Sequence, residues 1–466
     1  MSITDDEQQG PDTPDYVDDQ DNTGWSIQNK GVLTDDAVQS RVYVAYPFEK
    51  RARSYGVVRS PEARLNEAVG LAEAIDVEIV GSDLIPLRTI RPSTFVGKGW
   101  LETLHQKVDD DDIDLIVFDC ELSPIQQRNL ENEIGCKVID RTALILEIFG
   151  ARASTKEGEL QVELAHLTYQ KSRLVRSWTH LERQRGGAGF LGGPGESQIE
   201  LDRRIISDRI VKIKQLLEQV TRTRHLHRTQ RQKAPYPVVA LVGYTNAGKS
   251  TLFNFLTQSD VFAEDLLFAT LDPTMRSITL PSGKKIILSD TVGFISELPT
   301  MLVAAFRATL EEVISADVVL HVRDASHPDS AIQREDVFDV IKELGLDLTE
   351  SDKSVPYIEA LNKIDLMEES ALENLYNQAE IHPEIVPISG VTGENSEWLI
   401  EKIEEALSAN SIHICVVVPW ADGKTQAWLR ANSEINEEEC DEHGYKFTVT
   451  VDPIAWGRFV KVESGV

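Results

Sequence analysis

Cysteine is scarce in this chain of 466 residues, and the four present, Cys120, Cys136, Cys415 and Cys440, form neither CxxC pairs nor Cys/His metal spacings. That excludes a disulfide scaffold and a zinc module, and it matches the reduced thiols of a cytosolic protein. Long apolar runs are also missing. No stretch nears the ~18 uninterrupted apolar residues of a membrane helix, and Met1 opens onto acidic, polar sequence rather than a basic segment followed by an apolar run. The expectation is therefore a cytoplasmic protein with no membrane span. Positive charge is in deficit, with 47 Lys+Arg against 77 Asp+Glu and a net of −30. Taken whole, that balance argues against a generic basic nucleic-acid binder. What remains is a composition 41% hydrophobic, able to bury a core, over a length that allows about three domains of ~150 residues.

The charge is spread unevenly. Residues 1–36 hold ten Asp/Glu and one Lys, with too few apolar side chains to offset ordering, so a disordered acidic tail is predicted over 1–40. The last 66 residues hold 12 acidic and 6 basic side chains, whereas residues 151–234 hold 17 basic against 9 acidic, a net of +8. An acidic body discourages indiscriminate RNA contact and leaves one basic arm to reach it. Along that arm Leu160, Leu164, Leu167, Leu174, Trp178 and Leu181 recur at helical spacing, as do Ile199, Ile206, Ile210, Ile213, Leu217 and Val220. Six glycines within residues 186–195 separate the two stripes and cannot continue a helix. The pattern predicts a long antiparallel helical hairpin tipped by a glycine-rich loop. Its charges either solvate a coiled coil or contact RNA.

Flanking this arm, strands alternate with helices, which is the texture of a parallel α/β layer. In the first half the strands are expected at Val42–Ala45, Val77–Val80, Leu115–Phe118 and Val138-Ile139, with helices opened by Ser60-Pro61 and Ser123-Pro124. The run Asp109–Asp112 reads as a solvated turn, since consecutive carboxylates lack the geometry of a calcium loop. In the second half, Val238–Val242, Ile286–Leu288, Val318–Val322, Tyr357–Asn362 and Ile385–Ile388 read as strands. Two further strands, Ile412–Val418 and Tyr445–Val451, flank a polar stretch ending in Glu437–Glu439. The fold class is thus α/β: a P-loop nucleotide domain at 235–409, preceded by an α/β subdomain at 41–150 and the hairpin at 151–234, and followed by a small α+β domain at 410–466.

Gly243-Tyr244-Thr245-Asn246-Ala247-Gly248-Lys249-Ser250 fits the phosphate loop GxxxxGK[ST], directly after a strand and before a helix. Its backbone N–H groups and the helix N-terminus can cradle phosphates. Lys249 can bridge the β- and γ-phosphates, and the Ser250 hydroxyl can ligate Mg²⁺. Asp290-Thr291-Val292-Gly293 follows a strand. It places a carboxylate where it reaches Mg²⁺ through water, and a glycine N–H where it meets the γ-phosphate. Asn362-Lys363-Ile364-Asp365 follows another strand, and the Asp365 carboxylate can accept both the N1–H and N2–H donors of guanine, which adenine lacks. The Lys363 stem can lie against the base, and the turn Ser389-Gly390-Val391 can offer a backbone N–H to guanine O6. Between them lies Phe268-Ala269-Thr270-Leu271-Asp272-Pro273-Thr274, a switch loop whose threonine can close over the γ-phosphate and join the Mg²⁺ shell. Thr270 is the choice for that ligand, and spacing also permits Thr274. Four motifs in order, each at a strand end, predict a GTP hydrolase with Lys249, Thr270 and Gly293 as its catalytic set.

GYTNAGKS, FATLDPT, DTVGF and NKID, together with SRLVRSWTHLERQ and RGGAGFLGGPGESQIELDRR, resemble the HflX family of translational GTPases over about residues 41–466. One departure is Ser389-Gly390, where the family pattern is Ser-Ala. The resemblance implies GTP/GDP and Mg²⁺ as cofactors, binding to the large ribosomal subunit (50S) and its rRNA, and splitting or rescue of stalled ribosomes, with a monomer as the bound form. An alternative is a nucleotide-gated protein-interaction or ribosome-assembly GTPase using the hairpin as a coiled-coil surface. Many GTPases place a water-orienting glutamine just after the DxxG glycine. Here that residue is Phe294, which cannot hydrogen-bond to water, so intrinsic hydrolysis should be slow and accelerated by a partner or a cation. Asn246 resembles the asparagine of potassium-stimulated GTPases, which makes K⁺ a candidate cofactor, although an Asn in such a loop also simply caps its own turn.

Overall fold

The computed structural model describes residues 40–49, 59–178, 198–231, 236–258, 267–268, 274–298, 312–346, 355–409, 412–440, 444–451, 456 and 459. Two compact units are distinguished, Met1–Val38 and Gln39–Val466. The first falls wholly outside the described residues, and so does the expected acidic tail over 1–40 except for Ser40, which is buried.

The second unit opens with a parallel sheet of order β2-β1-β3-β4, built from β1 (Arg41–Glu49), β2 (Glu78–Leu87), β3 (Leu115–Phe118) and β4 (Lys137–Asp140). Helices α1 (Pro61–Glu73), α2 (Lys98–Asp111) and α3 (Pro124–Ile134) cross between the strands, and α4 (Arg141–Arg152) follows β4. Ser60 and Ser123 cap α1 and α3 ahead of a first-turn proline whose missing N–H costs nothing there. Asp109–Asp111 form the last turn of α2, and Asp112 caps it in the left-handed region. The expected turn is therefore a helix end: Leu101 and Leu104, one turn apart, bury a face too narrow to stand out in a polar sequence.

The basic arm holds two long helices, α5 (Lys156–Trp178) and α6 (Gln198–Arg231), that pack together with Ile210 and Ile213 buried and Arg209 paired to Glu163 at 2.7 Å. The glycine loop at 186–195 lies outside the described residues.

Next comes a six-stranded sheet of order β10-β9-β8-β5-β7-β6. Its strands are β5 (Val238–Val242), β6 (Thr274–Thr279), β7 (Lys285–Asp290), β8 (Val318–Asp324), β9 (Tyr357–Asn362) and β10 (Ile385–Pro387). All pair in parallel except β6, which forms an antiparallel edge. Helices α7 (Lys249–Thr257), α8 (Ser330–Glu343), α9 (Glu369–Ile381) and α10 (Ser396–Ala409) accompany it. The chain ends in an antiparallel sheet of order β11-β13-β12, made of β11 (Ile412–Pro419), β12 (Ser433–Cys440) and β13 (Gly444–Val451), with α11 (Gly423–Asn432) placing Leu429 against Phe447. The polar stretch with Glu437–Glu439 thus holds a third strand, β12. As an outer strand paired only to β13 it tolerates a charged sequence that masks alternation.

One apolar core is continuous between the first sheet and the six-stranded sheet. It includes Val44, Leu71, Ile145 and Phe149 on one side and Val242, Phe268, Phe294 and Val319 on the other. Phe149 meets Phe268 edge to face, with ring centroids 4.7 Å apart.

Candidate functional site

The carboxyl ends of the parallel strands converge on one rim, where open α/β sheets take their ligands. Gly243 leaves β5 with φ +154, and a Cβ there would fall 2.1 Å from the Val322 carbonyl oxygen, so no other residue fits the turn. Asn246 (φ +58) and Gly248 (φ +86) continue it in left-handed conformations, and α7 starts at Lys249. The Lys249 ammonium is buried and donates to the carbonyls of Gly243 (3.1 Å) and Tyr244 (2.7 Å). Burial pushes its pKa down to about 8, although Asp290 favours the charged form. Such a poorly solvated cation has much to gain from phosphate oxygens.

Ser250 opens α7 beside the end of β7, and its hydroxyl donates to Asp290 Oδ2 at 2.7 Å. A hydroxyl and a carboxylate side by side at a helix N-terminus form a hard-oxygen donor pair that fits Mg²⁺ shared with phosphates. No cluster of three or more His, Cys, Asp or Glu suited to a metal occurs among the described residues, and this donor set needs none. Thr291 turns inward and donates to the Leu241 carbonyl at 2.6 Å, so only its backbone faces the rim. Val292 is core. A Cβ on Gly293 would lie 2.8 Å from Thr245 Cγ2 and 3.2 Å from Lys249 Nζ, so this glycine permits direct contact between the DxxG segment and the phosphate loop.

On the base side, Asn362 donates to the Ala247 carbonyl and accepts from the Gly390 N–H, both at 2.9 Å. Lys363 (φ +64) pairs with Asp324 at 2.9 Å, which fixes its stem, and Asp365 accepts from the Ser389 hydroxyl at 2.6 Å. Ile364 is buried, whereas Val391 is 73% exposed. Phe268 is core. Ala269, Thr270, Leu271 and Asp272 lie outside the described residues.

Two side chains beside these loops are buried. Tyr244 turns away from the phosphate rim, and its hydroxyl donates to Glu67 of α1 at 2.5 Å. Phe294 is 1% exposed, and its backbone N–H donates to Gly243 O (3.1 Å) while its carbonyl accepts from Thr245 N–H (2.7 Å). Sequence reasoning missed the groups that receive this segment: Arg59, Arg64, Glu67, Asp119 and Arg141. The only signal was charge inside an otherwise apolar helix pattern, because the contacts join residues as far apart as Glu67 and Ser296.

A glycine-rich turn, a buried lysine, a Ser/Asp donor pair and an Asn-Lys-x-Asp loop on one sheet rim define a P-loop GTPase. Family models described as "GTP-binding GTPase N-terminal", "GTP-binding GTPase Middle Region" and "50S ribosome-binding GTPase" match residues 62–150, 152–231 and 238–363. The chain is 48% identical over 394 residues to a GTPase HflX of Magnetococcus marinus, covering 84% of this chain and 89% of that one. It is 43% identical over 392 residues to GTPase HflX of Escherichia coli, with the same coverages. The chain belongs to the HflX family of GTPases, and its reaction is hydrolysis of GTP.

Proposed function

We propose that this GTPase acts as a switch on the large ribosomal subunit and splits or rescues stalled ribosomes. The carrying observation is the pairing of the nucleotide rim with a basic two-helix arm (net +8 over 151–234) in a chain of −30. The match to the model described as a 50S ribosome-binding GTPase supports it. In this reading the phosphates lie on residues 243–250, and Lys249 and the Gly293 N–H meet the γ-phosphate. Thr270 closes the switch, Asp365 reads guanine, and the Ser389-Gly390-Val391 turn lies beside the base. Ser250, Thr270 and, through water, Asp290 are the residues that would hold Mg²⁺, and the ion would neutralise phosphate charge. With Phe294 buried, water must be ordered by other groups, so hydrolysis waits on a partner or on K⁺ near Asn246. The glycine loop at 186–195 faces rRNA, the protein acts as a cytoplasmic monomer, and the five segments 1–40, 41–150, 151–234, 235–409 and 410–466 serve as its domains.

Sedimentation with purified 50S and 70S particles in GTP, GDP or a non-hydrolysable GTP analogue tests this. Co-sedimentation with 50S in the triphosphate state is expected, and its absence overturns the proposal. A second reading, the arm as a coiled-coil surface for a protein, is favoured by Leu201, Ile205, Val211 and Leu216 standing exposed on α6. Salt separates the two: phosphate contacts weaken steeply as salt rises, whereas an apolar seam hardly responds.

A further inference from the structure

The loops that leave β8 and β9 run side by side past the end of the sheet. Asp324, the last residue of β8, lies opposite Asn362, the last of β9. One residue further on, the Ala325 N–H still donates to the Asn362 carbonyl at 2.8 Å. Lys363 then takes φ +64, and this left-handed step ends the strand. Its ammonium is held by Asp324 Oδ2 at 2.9 Å.

The carboxylate that holds the lysine is itself fixed. Oδ1 of Asp324 accepts from the Ser326 N–H at 2.9 Å and from the Ser326 hydroxyl at 2.6 Å, a local turn that sets its rotamer. One oxygen is thus committed to the turn and the other to Lys363. The neighbouring cation is engaged elsewhere, because Arg323 pairs with the buried Glu359. The Asp324 and Lys363 side chains are 13% and 22% exposed, so water screens the pair only in part.

An ion pair near the surface contributes little to stability, because ordering two side chains opposes the Coulomb gain. Its effect here is on position. Pinning a free lysine costs up to about 2 kcal/mol of rotamer entropy, and in this chain the pinning precedes the nucleotide. Pairing also counters the phosphates. An uncompensated ammonium is attracted toward the anionic end of a nucleotide, where Lys249 stands, whereas one matched by Asp324 stays on the base side.

We propose that Asp324 is a positioning residue for the guanine nucleotide: by anchoring the Lys363 ammonium it holds the four-carbon stem as a fixed apolar ledge for one face of the base. It acts through Lys363 rather than on the nucleotide. Two carboxylates then divide the task, Asp365 setting which base is taken and Asp324 how long it stays. The inference rests on the reading that the base lies beside Asp365 with the Lys363 stem against its face. It makes the residence time of GDP depend on a residue outside the nucleotide motifs.

The test uses the full chain. It measures dissociation of a fluorescent GDP analogue, equilibrium affinity for GDP and for inosine diphosphate, which lacks the 2-amino group, and GTP turnover. Asp324→Asn keeps an oxygen for the Ser326 turn and removes the charge facing Lys363. It is expected to speed GDP dissociation about tenfold and to raise KM for GTP about as much, with kcat changed less than about twofold. The preference for GDP over inosine diphosphate should stay within about twofold, because a contact on the face of the base does not sense the 2-amino group. General loosening of the loop would instead displace Asp365 and collapse that preference. Lys363→Met retains an unbranched apolar stem without the ammonium and should match Asp324→Asn. The double variant should bind no more weakly than the worse single one, since both break one link.

Unchanged dissociation in Asp324→Asn, a collapsed preference, or fully additive losses each overturn the inference. If Asp324→Asn fails to fold, Lys363→Met decides, and GDP dissociation there at the rate of the parent chain overturns it. Lys363→Ala separates the two levels. If that variant binds GDP as the parent does, the placement of the base against Lys363 has failed. If it binds weakly while Asp324→Asn binds normally, only the anchoring role is removed.

Discussion

The Asn362 side-chain amide donates to the Ala247 carbonyl at 2.9 Å and so fastens the base-side loop to the phosphate loop. With its oxygen it also accepts the Gly390 N–H, spanning three loops that leave β5, β9 and β10. Asn362→Ala removes both bonds and leaves a buried backbone carbonyl and N–H unpaired, a cost of about 1–3 kcal/mol for each such group. GTP and GDP should both bind at least about tenfold more weakly by titration. Because neither bond involves the γ-phosphate, the ratio of the two affinities should hardly move.

Two glycines predict opposite outcomes for the same added methyl. At Gly293 a Cβ would press on Thr245 and Lys249 at 2.8–3.2 Å, and Gly293→Ala should cut GTP turnover by about tenfold or more in steady-state assays. At Gly390 a Cβ would rest 3.4 Å from Asn362 and Leu252, which is van der Waals contact. Gly390→Ala should keep GDP affinity within about twofold, which fits a position where the family pattern has alanine.

His321 makes acid stability measurable. It sits in β8, buried, with Nδ1 3.1 Å from the Tyr357 hydroxyl, which in turn donates to Glu359, while Arg323 and Arg334 pair with that same carboxylate. Burial pushes its pKa down to about 3: Glu359 favours the charged ring, and Arg323, Arg334 and Lys249 oppose it. The folded ring stays neutral while the unfolded one protonates near its ordinary value of ~6.5, so the unfolded chain binds more protons between those limits. The contribution is complete above about pH 6.5 and is lost as pH falls toward 3, at up to about 1.4 kcal/mol per pH unit. Denaturant titrations at stepwise lower pH should show His321→Asn with a shallower loss than the parent chain.

Asn246 stands exposed at φ +58 at the crest of the phosphate loop, a conformation that asparagine tolerates better than most residues. If it helps hold a monovalent cation, GTP turnover will be faster in K⁺ than in Na⁺ at equal ionic strength, and Asn246→Ala will abolish the difference. Equal rates in the two salts would remove potassium from the mechanism.

Local patterning made much of this molecule legible. β3 and β9 occupy the residues their apolar runs predict, and α3 starts on its Ser-Pro signal because capping and proline geometry are properties of a few adjacent residues. The helix α2 and the strand β12 escaped notice where few apolar side chains face a core. The nucleotide loops were visible because each is contiguous, whereas the charged cluster around Ser296 was not. Glu67 gives no local sign that it will meet Tyr244, and Arg141 reads only as the first residue of a helix.

The shared core has a bearing on how this protein can be divided. Phe149 and Ile145 pack in one cluster with Phe268, Val292 and Phe294, so a fragment beginning near residue 235 would carry a naked apolar wall directly behind its DxxG segment. Such a fragment should be prone to self-association, and rates measured on it would describe a different molecule. Modular as the sequence looks, the nucleotide module shares its core with the first sheet, and grafting it onto another carrier would require bringing its backing along.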